Sequence, residues 1–193
     1  MALVASFPPS ESDILKSRRN SLAWLNGFRS YAGSKYYVEE VQLPVSFREK
    51  VEQYFRKRAR EELPEKQFLH ETPNTDSNNL MEFNLLLRIN FRNKLYELHA
   101  GDPSKTEVTW RQEGGELTLE SLALRNEFNV KSYAFDKLIH MHSHPGKDFA
   151  VPSGSDISFF AMLQEQQVNI TQKLYFSIYA PRYNIFAHYK ITK

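Results

Sequence analysis

Cysteine is the most consequential absence from this 193-residue chain, which contains none. Without thiols the protein forms no disulfide, has no thiolate zinc site and carries no cysteine nucleophile. The same absence leaves the cellular compartment open, because a chain without cysteine is indifferent to the redox state of its surroundings.

Membrane-spanning and secretion signals are missing as well. No stretch approaches the roughly 20 consecutive apolar residues that a membrane-spanning helix requires. The N-terminal segment MALVASFPPSESD has neither the basic start nor the long apolar run of a Sec signal peptide. We therefore expect a soluble protein that is either cytoplasmic or exported without a Sec signal.

A strong charge of either sign is also lacking, since the net charge is only +2. Such a balance gives no electrostatic case for binding nucleic acid or a membrane surface. Apolar residues make up 41% of the chain and charged residues 25%, which suits a globular protein with a real core. A chain of this length can hold one good-sized domain together with a helical extension.

The apolar pattern predicts a mixed α+β chain. Residues 46–62 carry the clearest helical pattern, whereas residues 81–91 alternate apolar and polar side chains as a strand does. Residues 137–143 predict a strand that ends before a proline. Further helices are predicted at 11–29 and 156–166, and further strands at 36–43, 95–100, 173–180 and 184–192.

Two features of the helix at 46–62 lead to specific expectations. Ser46 and Glu49 have the spacing of a capping box, which would begin the helix. Basic residues crowd its second half, and we expect them to form a solvated face that neighbouring glutamates balance. A docking surface for an acidic partner is the alternative. The basic residues are Arg56, Lys57, Arg58 and Arg60.

The stretch HSHPGKDFAVPSGSD predicts chemistry. His142 and His144 lie one residue apart, so their side chains point the same way from an extended strand. Asp156 follows twelve positions after the second histidine. Two imidazoles and one carboxylate, with a fourth position left to water, form a hydrolytic zinc site. The alternative is that the two histidines simply face solvent or a polar core. The presence of Pro145 and Ser153 at regular spacing from the histidines and Asp156 argues against that alternative.

This stretch closely resembles the signature of the JAB/MPN+ (JAMM) metalloproteases. That signature is His-x-His-Pro, a short loop and Ser-x-x-Asp. The sequence of this segment is most similar to bacterial members, including the RadC-like and JAB-like toxin branches. The resemblance is sharp over 140–160 and extends over 80–193. It implies a curved mixed β-sheet flanked by helices for residues 76–193. Residues 1–75 show no such resemblance, and we expect them to form a mainly helical N-terminal extension of unknown role.

The resemblance also assigns roles at the site. It implies one zinc ion per chain, bound by His142, His144 and Asp156. Ser153 matches the family serine, which steadies the oxyanion of the tetrahedral intermediate. A plain helix cap is the alternative for Ser153, and Ser155 is a rival cap.

A glutamate far upstream completes the family's site. It accepts a proton from the metal-bound water and passes it to the leaving amine. Glu82 opens an apolar strand and is our candidate, with Glu71 and Glu97 as rivals. The chain departs from the family's Glu-x-Cys-Gly pattern here, because Glu82 is followed by Phe83-Asn84 and no Cys-Gly pair is present. If Glu82 has no catalytic role, we expect it to be a solvent-facing strand residue.

His140 shares the strand face of His142, two residues away. A fourth protein ligand would close the site and prevent hydrolysis. We therefore expect His140 to be structural or to support the ligands rather than to bind the metal.

The resemblance implies a zinc peptidase or isopeptidase that hydrolyses an amide bond in a protein substrate. Ubiquitin-like and other isopeptide-linked proteins are the expected targets, and the toxin branch implies a bacterial effector with a delivery or inhibitor protein. A non-catalytic MPN-like scaffold or protein-interaction module is the main alternative. A RadC-like domain associated with nucleic acid is a weaker one, given the near-neutral charge.

Overall fold

The computed structural model describes residues 8–31, 37–69, 81–89, 93–104, 137–146, 148–166 and 174–192. The helices are α1 (Glu11–Tyr31), α2 (Val45–Glu62) and α3 (Gly154–Gln166). The strands are β1 (Tyr37–Val41), β2 (Glu82–Ile89), β3 (Leu95–Ser104), β4 (Lys137–Ser143), β5 (Leu174–Ala180) and β6 (Ile185–Thr192). Short 3-10 helices occupy Glu65–Phe68 and Pro181–Tyr183. The helices and strands predicted over these ranges are confirmed.

All six strands join one sheet in the order β1-β6-β5-β4-β2-β3. Strands β4 and β5 run parallel, and every other neighbouring pair is antiparallel. A parallel pair needs a crossover connection, and α3 lies between β4 and β5 in the chain. The expected α+β class with a mixed sheet is confirmed.

Helices cover both faces of the sheet. Helix α2 packs on one, here called the α2 face, while α1 and α3 pack on the other, here called the α3 face. Because side chains alternate along a strand, successive residues of β2 and β4 divide between the faces. The α2 face receives Phe83, Leu85, Leu87, Ile139 and Met141, and the α3 face receives Leu86 and Leu138.

No helix in the described ranges is long and apolar enough to cross a membrane.

Helix α2 forms where its pattern predicts, but it begins differently. Its first residue is Val45 and its N-cap is Pro44, with no side-chain cap hydrogen bond. The capping box predicted from Ser46 and Glu49 is therefore wrong, because Ser46 already lies inside the first turn. The helical pattern of apolar residues over 46–62 is confirmed, since Phe47, Val51, Phe55 and Ala59 are buried along one side of the helix.

Carboxylates neutralise the basic half of α2. The Arg58 guanidinium lies 2.9 Å from Glu61, 3.0 Å from Glu62 and 3.1 Å from Glu97. Arg60 lies 3.4 Å from Glu65. For these two arginines the expected charge-balanced face is confirmed.

Helix α1 is fastened to the edge strand β1. The side-chain amide of Asn26 donates to the carbonyl of Val38 and accepts from its N–H, both at 3.1 Å. Arg18 forms an ion pair with Glu40 at 2.9 Å. Asn26 thus occupies backbone groups that an edge strand would otherwise leave unpaired. The first 75 residues contribute a strand to the sheet, while the boundary drawn at 75/76 lies outside the described residues.

Strand β3 is longer than its pattern predicts. The sequence predicts a strand over 95–100 that ends before Gly101-Asp102-Pro103, yet β3 continues to Ser104. The prediction is wrong because two register shifts in the β2–β3 pairing, between Glu82 and Asn84 and between Leu86 and Leu87, accommodate extra residues. Among the strands that the structure describes, β3 lies at the edge of the sheet, where a proline is tolerated.

Candidate metal centre

Strand β4 brings the two histidines to the α3 face. His142 lies four residues after Leu138, a core residue of that face, so alternation directs its side chain the same way. His144 follows the end of β4, and its N–H donates to the carbonyl of Tyr179 at 2.8 Å. This bond extends the pairing with β5 and keeps His144 aligned with the strand.

The N-terminus of α3 supplies the carboxylate. The Ser153 hydroxyl accepts a hydrogen bond from the N–H of Asp156 at 3.1 Å. In return, the Ser153 N–H donates to the Asp156 carboxylate at 2.6 Å. This is a reciprocal capping box, so Ser153 is the cap and the rival Ser155 is not. It fixes the Asp156 side chain against the first turn of the helix.

The three predicted ligands converge on one buried point. Nε2 of His142 lies 2.9 Å from Nε2 of His144 and 3.1 Å from Oδ1 of Asp156. Nε2 of His144 lies 3.0 Å from Oδ2 of Asp156. Exposure is only 2%, 5% and 6% for His142, His144 and Asp156. This is a group of side chains that could hold a metal ion.

Hydrogen bonds alone cannot satisfy all three contacts among His142, His144 and Asp156. Each Nε2 carries at most one hydrogen, and an ionised carboxylate carries none. If both nitrogens are protonated, their hydrogens confront each other across 2.9 Å, and if one is not, a nitrogen lone pair faces the carboxylate. A cation at the centre satisfies all three contacts at once. Ligands of a tetrahedral zinc are about 3.3 Å apart, so the observed spacing needs little adjustment.

The electrostatics of the group favour positive charge at its centre. Burial disfavours a charged His144, but hydrogen bonds with Asp148 and Asp156 outweigh it and raise the pKa of His144 to about 10. Burial also disfavours an ionised Asp156. Attraction to His142 and hydrogen bonds from both histidines nevertheless hold the pKa of Asp156 well below its usual range.

Burial and two hydrogen bonds hold the loop between His144 and α3 in one conformation. Ala150 has a left-handed backbone with φ of 62°, which is unfavourable for a residue with a Cβ, and it is fully buried. The Tyr189 hydroxyl donates to the Ala150 carbonyl at 2.5 Å. The N–H of Val151 donates to the Asp148 carboxylate at 2.8 Å. These contacts fix the path of the chain between the ligands.

Asp148 is a site residue that the sequence pattern did not single out. Its Oδ2 lies 3.3 Å from Nδ1 of His144, the ring nitrogen that faces away from the other ligands. The available signal was an acidic residue between the histidines and Asp156. Nothing in the motif indicated that the loop folds back to bring this residue onto the imidazole.

Glu82 lies on the face of the sheet that carries the histidines. Its strand runs antiparallel to β4, and Asn84 is directly opposite His142. Glu82 is two residues from Asn84, on the same side of β2, and beside the end of β4. It is only 8% exposed, so the alternative of a solvent-facing strand residue is wrong. The hydrogen bond from the Phe83 N–H to the Ser143 hydroxyl, 2.9 Å long, joins the two strands at this point.

The rival glutamates differ in position. Glu97 pairs with Leu87, a residue of the α2 face, and its carboxylate contacts Arg58 at 3.1 Å and the Tyr54 hydroxyl. It is therefore on the opposite side of the sheet from the histidines. Glu71 lies outside the described residues.

His140 belongs to the aromatic layer beneath the ligands. Its ring lies 5.8 Å from that of His142, 5.3 Å from Phe159 and 6.0 Å from Phe160, measured between centroids. It is not part of the ligand group, in keeping with its expected supporting role.

Comparison with known proteins gives no relative for this arrangement: no protein-family model, no curated protein and no solved structure matches the chain.

Proposed function

We propose that the protein is a zinc-dependent peptidase or isopeptidase that hydrolyses an amide bond in a protein substrate. The observation that carries this proposal is the buried convergence of His142, His144 and Asp156. Two imidazoles and a carboxylate leave a fourth position open, as hydrolytic zinc sites require. Glu82, on the same face of the neighbouring strand, supports a catalytic role rather than a purely structural one.

The metal and Glu82 have separate roles in the proposed hydrolysis. Zinc bound here would act as a Lewis acid, lowering the pKa of water toward about 7 and polarising the scissile carbonyl. Glu82 accepts a proton from the attacking water as the water oxygen bonds to the carbonyl carbon. When the C–N bond breaks, Glu82 returns the proton to the leaving amine. No other proton donor is needed to balance this step.

Ser153 is our candidate for holding the oxyanion. Its oxygen already accepts the N–H of Asp156, but a hydroxyl can accept and donate at the same time, so the cap does not preclude the second role. A donor at this place contributes up to a few kcal/mol to transition-state stabilisation.

The JAB/MPN+ resemblance sets the proposed substrate class. The mixed sheet flanked by helices is compatible with that fold, which we propose for residues 76–193. On this basis the substrate is a protein, with ubiquitin-like and other isopeptide-linked targets first to be tried. A bacterial effector or toxin that works with a delivery or inhibitor protein is the proposed setting.

Metal content is the first test. Elemental analysis of protein purified without added metal should find about one zinc per chain. His142→Ala should lose it, because two ligands remain in a site built for three. If the wild-type protein takes up no zinc even after reconstitution, the proposal fails and a non-catalytic scaffold becomes the better interpretation.

Glu82→Gln tests the chemistry separately from metal binding. On a panel of ubiquitin-like and isopeptide-linked substrates, this variant should keep its zinc and lose about 10²–10⁴-fold in hydrolysis. Glu97→Gln is the matched control, since it makes the same change on the opposite face and should keep full activity. Equal cleavage by Glu82→Gln would remove Glu82 from the mechanism. Zinc binding by wild type without hydrolysis of any substrate would favour the interaction-module alternative.

A further inference from the structure

Asp148 makes two contacts that join the loop to the metal centre. One carboxylate oxygen, Oδ1, accepts the N–H of Val151 at 2.8 Å. The other, Oδ2, faces Nδ1 of His144 at 3.3 Å. One side chain therefore connects the loop backbone with one of the two histidines.

The second contact decides which nitrogen of His144 keeps its hydrogen when the ring is neutral, as it must be to bind a metal. A neutral imidazole has one N–H, and the nitrogen that binds a metal must be the one without it. A carboxylate accepts hydrogen bonds and cannot donate them when ionised, so it stabilises the form with hydrogen on Nδ1. That form leaves the lone pair of Nε2 directed at the centre shared with His142 and Asp156.

The other histidine has no such partner. Nδ1 of His142 is buried, and within the described part of the chain it has no hydrogen-bond partner. The two ligands are therefore supported unequally, and the control exerted by Asp148 falls on His144 alone.

The loop holds the carboxylate in place. Its first oxygen is engaged by Val151, and the adjoining Ala150 carbonyl is held by Tyr189 from the sheet. The side chain of Asp148 is 32% exposed, so substitution there leaves the core packing intact.

We infer that Asp148 is a positioning residue: it fixes the tautomer and ring orientation of His144 and so tunes the metal affinity of the site. The inference rests on the metal-binding half of the proposed function and not on the hydrolytic half. Partners of this kind are typically worth 10–100-fold in metal affinity.

Asp148→Asn isolates this contact. The side-chain oxygen of asparagine can still accept the Val151 N–H, but its NH₂ group now donates toward Nδ1 of His144. The hydrogen of the neutral ring is then driven to Nε2, which is the wrong tautomer for a ligand. Zinc affinity, measured by competition with a chromophoric chelator, should fall about 10–100-fold. Long-range ¹H–¹⁵N NMR of the metal-free proteins should show hydrogen on Nδ1 of His144 in wild type and none on Nδ1 in the variant.

Two further variants separate positioning from loop structure. Asp148→Ala removes both contacts, so a loss of affinity in this variant with none in Asp148→Asn would mean that only the loop contact matters and would overturn the inference. Asp13→Asn makes the same chemical change at an exposed site on α1 and should leave zinc affinity unchanged.

The outcomes also distinguish this inference from the proposed function. If wild type binds zinc but hydrolyses nothing, the affinity ratio between wild type and Asp148→Asn still decides the role of Asp148. If the two proteins bind zinc equally, the inference is wrong while the peptidase proposal stands. Absence of zinc binding in wild type defeats both.

Discussion

Ser143, the residue between the two histidines, links the metal centre to the second strand of the site. It is fully buried, and its hydroxyl accepts the N–H of Phe83 at 2.9 Å. Phe83 immediately follows Glu82, so this bond sets where the candidate base begins its strand relative to the ligands. A single small side chain therefore aligns the proposed base with the candidate metal ligands.

Ser143→Ala should separate these two parts of the site. The Phe83 N–H would lose its partner in a buried place, which costs about 1–3 kcal/mol of unfolding free energy. Hydrolysis should fall further than stability alone explains, whereas zinc affinity should stay near that of wild type, because no ligand contact changes. Chemical denaturation, chelator competition and a hydrolysis assay measure the three quantities.

Ser177→Ala provides the comparison for that result. Ser177 is equally buried on the neighbouring strand β5, and its hydroxyl lies 2.7 Å from Nδ1 of His188 on the α2 face. It should lose stability without a specific loss of hydrolysis. Weakened zinc binding in Ser143→Ala, matching the drop in hydrolysis, would contradict the proposed division of roles.

At the scale of elements, the site depends on a loop with one left-handed alanine. Such a conformation costs of order 1–3 kcal/mol and persists only where surrounding contacts hold it. Here the burial of Ala150 and the hydroxyl of Tyr189 supply those contacts. Because Asp148 and the cap Ser153 lie on either side of Ala150, the loop conformation and the ligand geometry are coupled.

Tyr189→Phe should loosen this coupling. The ring is kept, but the buried carbonyl of Ala150 loses its donor, which should lower the unfolding free energy by about 1–3 kcal/mol and weaken zinc binding. Thermal melts of the metal-free protein and chelator competition report the two effects. Tyr179→Phe removes a hydroxyl that donates to Asn184 at 3.1 Å on the α2 face, and it should leave zinc affinity intact. Equal zinc affinities for both variants would show that the loop is held without Tyr189.

At the scale of the whole molecule, the metal centre lies where the parallel pair of strands meets a crossover helix. The end of β4 leads through the loop into α3, and β5 returns beside β4. Helices lie on both faces of the sheet, and the three candidate ligands are buried. An ion bound there should stabilise the entire fold, since the unfolded chain offers no preformed site.

Zinc should therefore raise the melting temperature. At a free zinc concentration 100 times the dissociation constant, binding contributes about 2.7 kcal/mol. For a chain of this size that corresponds to roughly 5–10 °C. Scanning calorimetry with zinc and with excess chelator measures the difference, and His142→Ala should show none. Identical melting curves for wild type under both conditions would mean that the folded state binds no zinc.

The sequence predicts the parts of this structure that are set locally. The ligands lie within one short segment, and strand alternation and helix capping place them with little help from elsewhere. The contact of Asp148 with His144 depends on a loop path that no periodicity encodes. The position of Glu82 depends on the pairing of β2 with β4, which are far apart in the chain. The capping box of Ser46 and Glu49 failed for a local reason, because the N-cap is Pro44, two residues before Ser46.

The short span from His142 to Asp156 predicts the order in which metal binding and the proposed hydrolysis are lost as the chain unfolds. A chelating segment this short closes at small entropic cost, whereas Glu82 joins it only through pairing between distant strands. A chain in which β2 has detached keeps every atom of the chelate but loses its base. Mild denaturant should therefore abolish the proposed hydrolysis while the ion is still held, so that bound metal by itself does not measure the proposed activity.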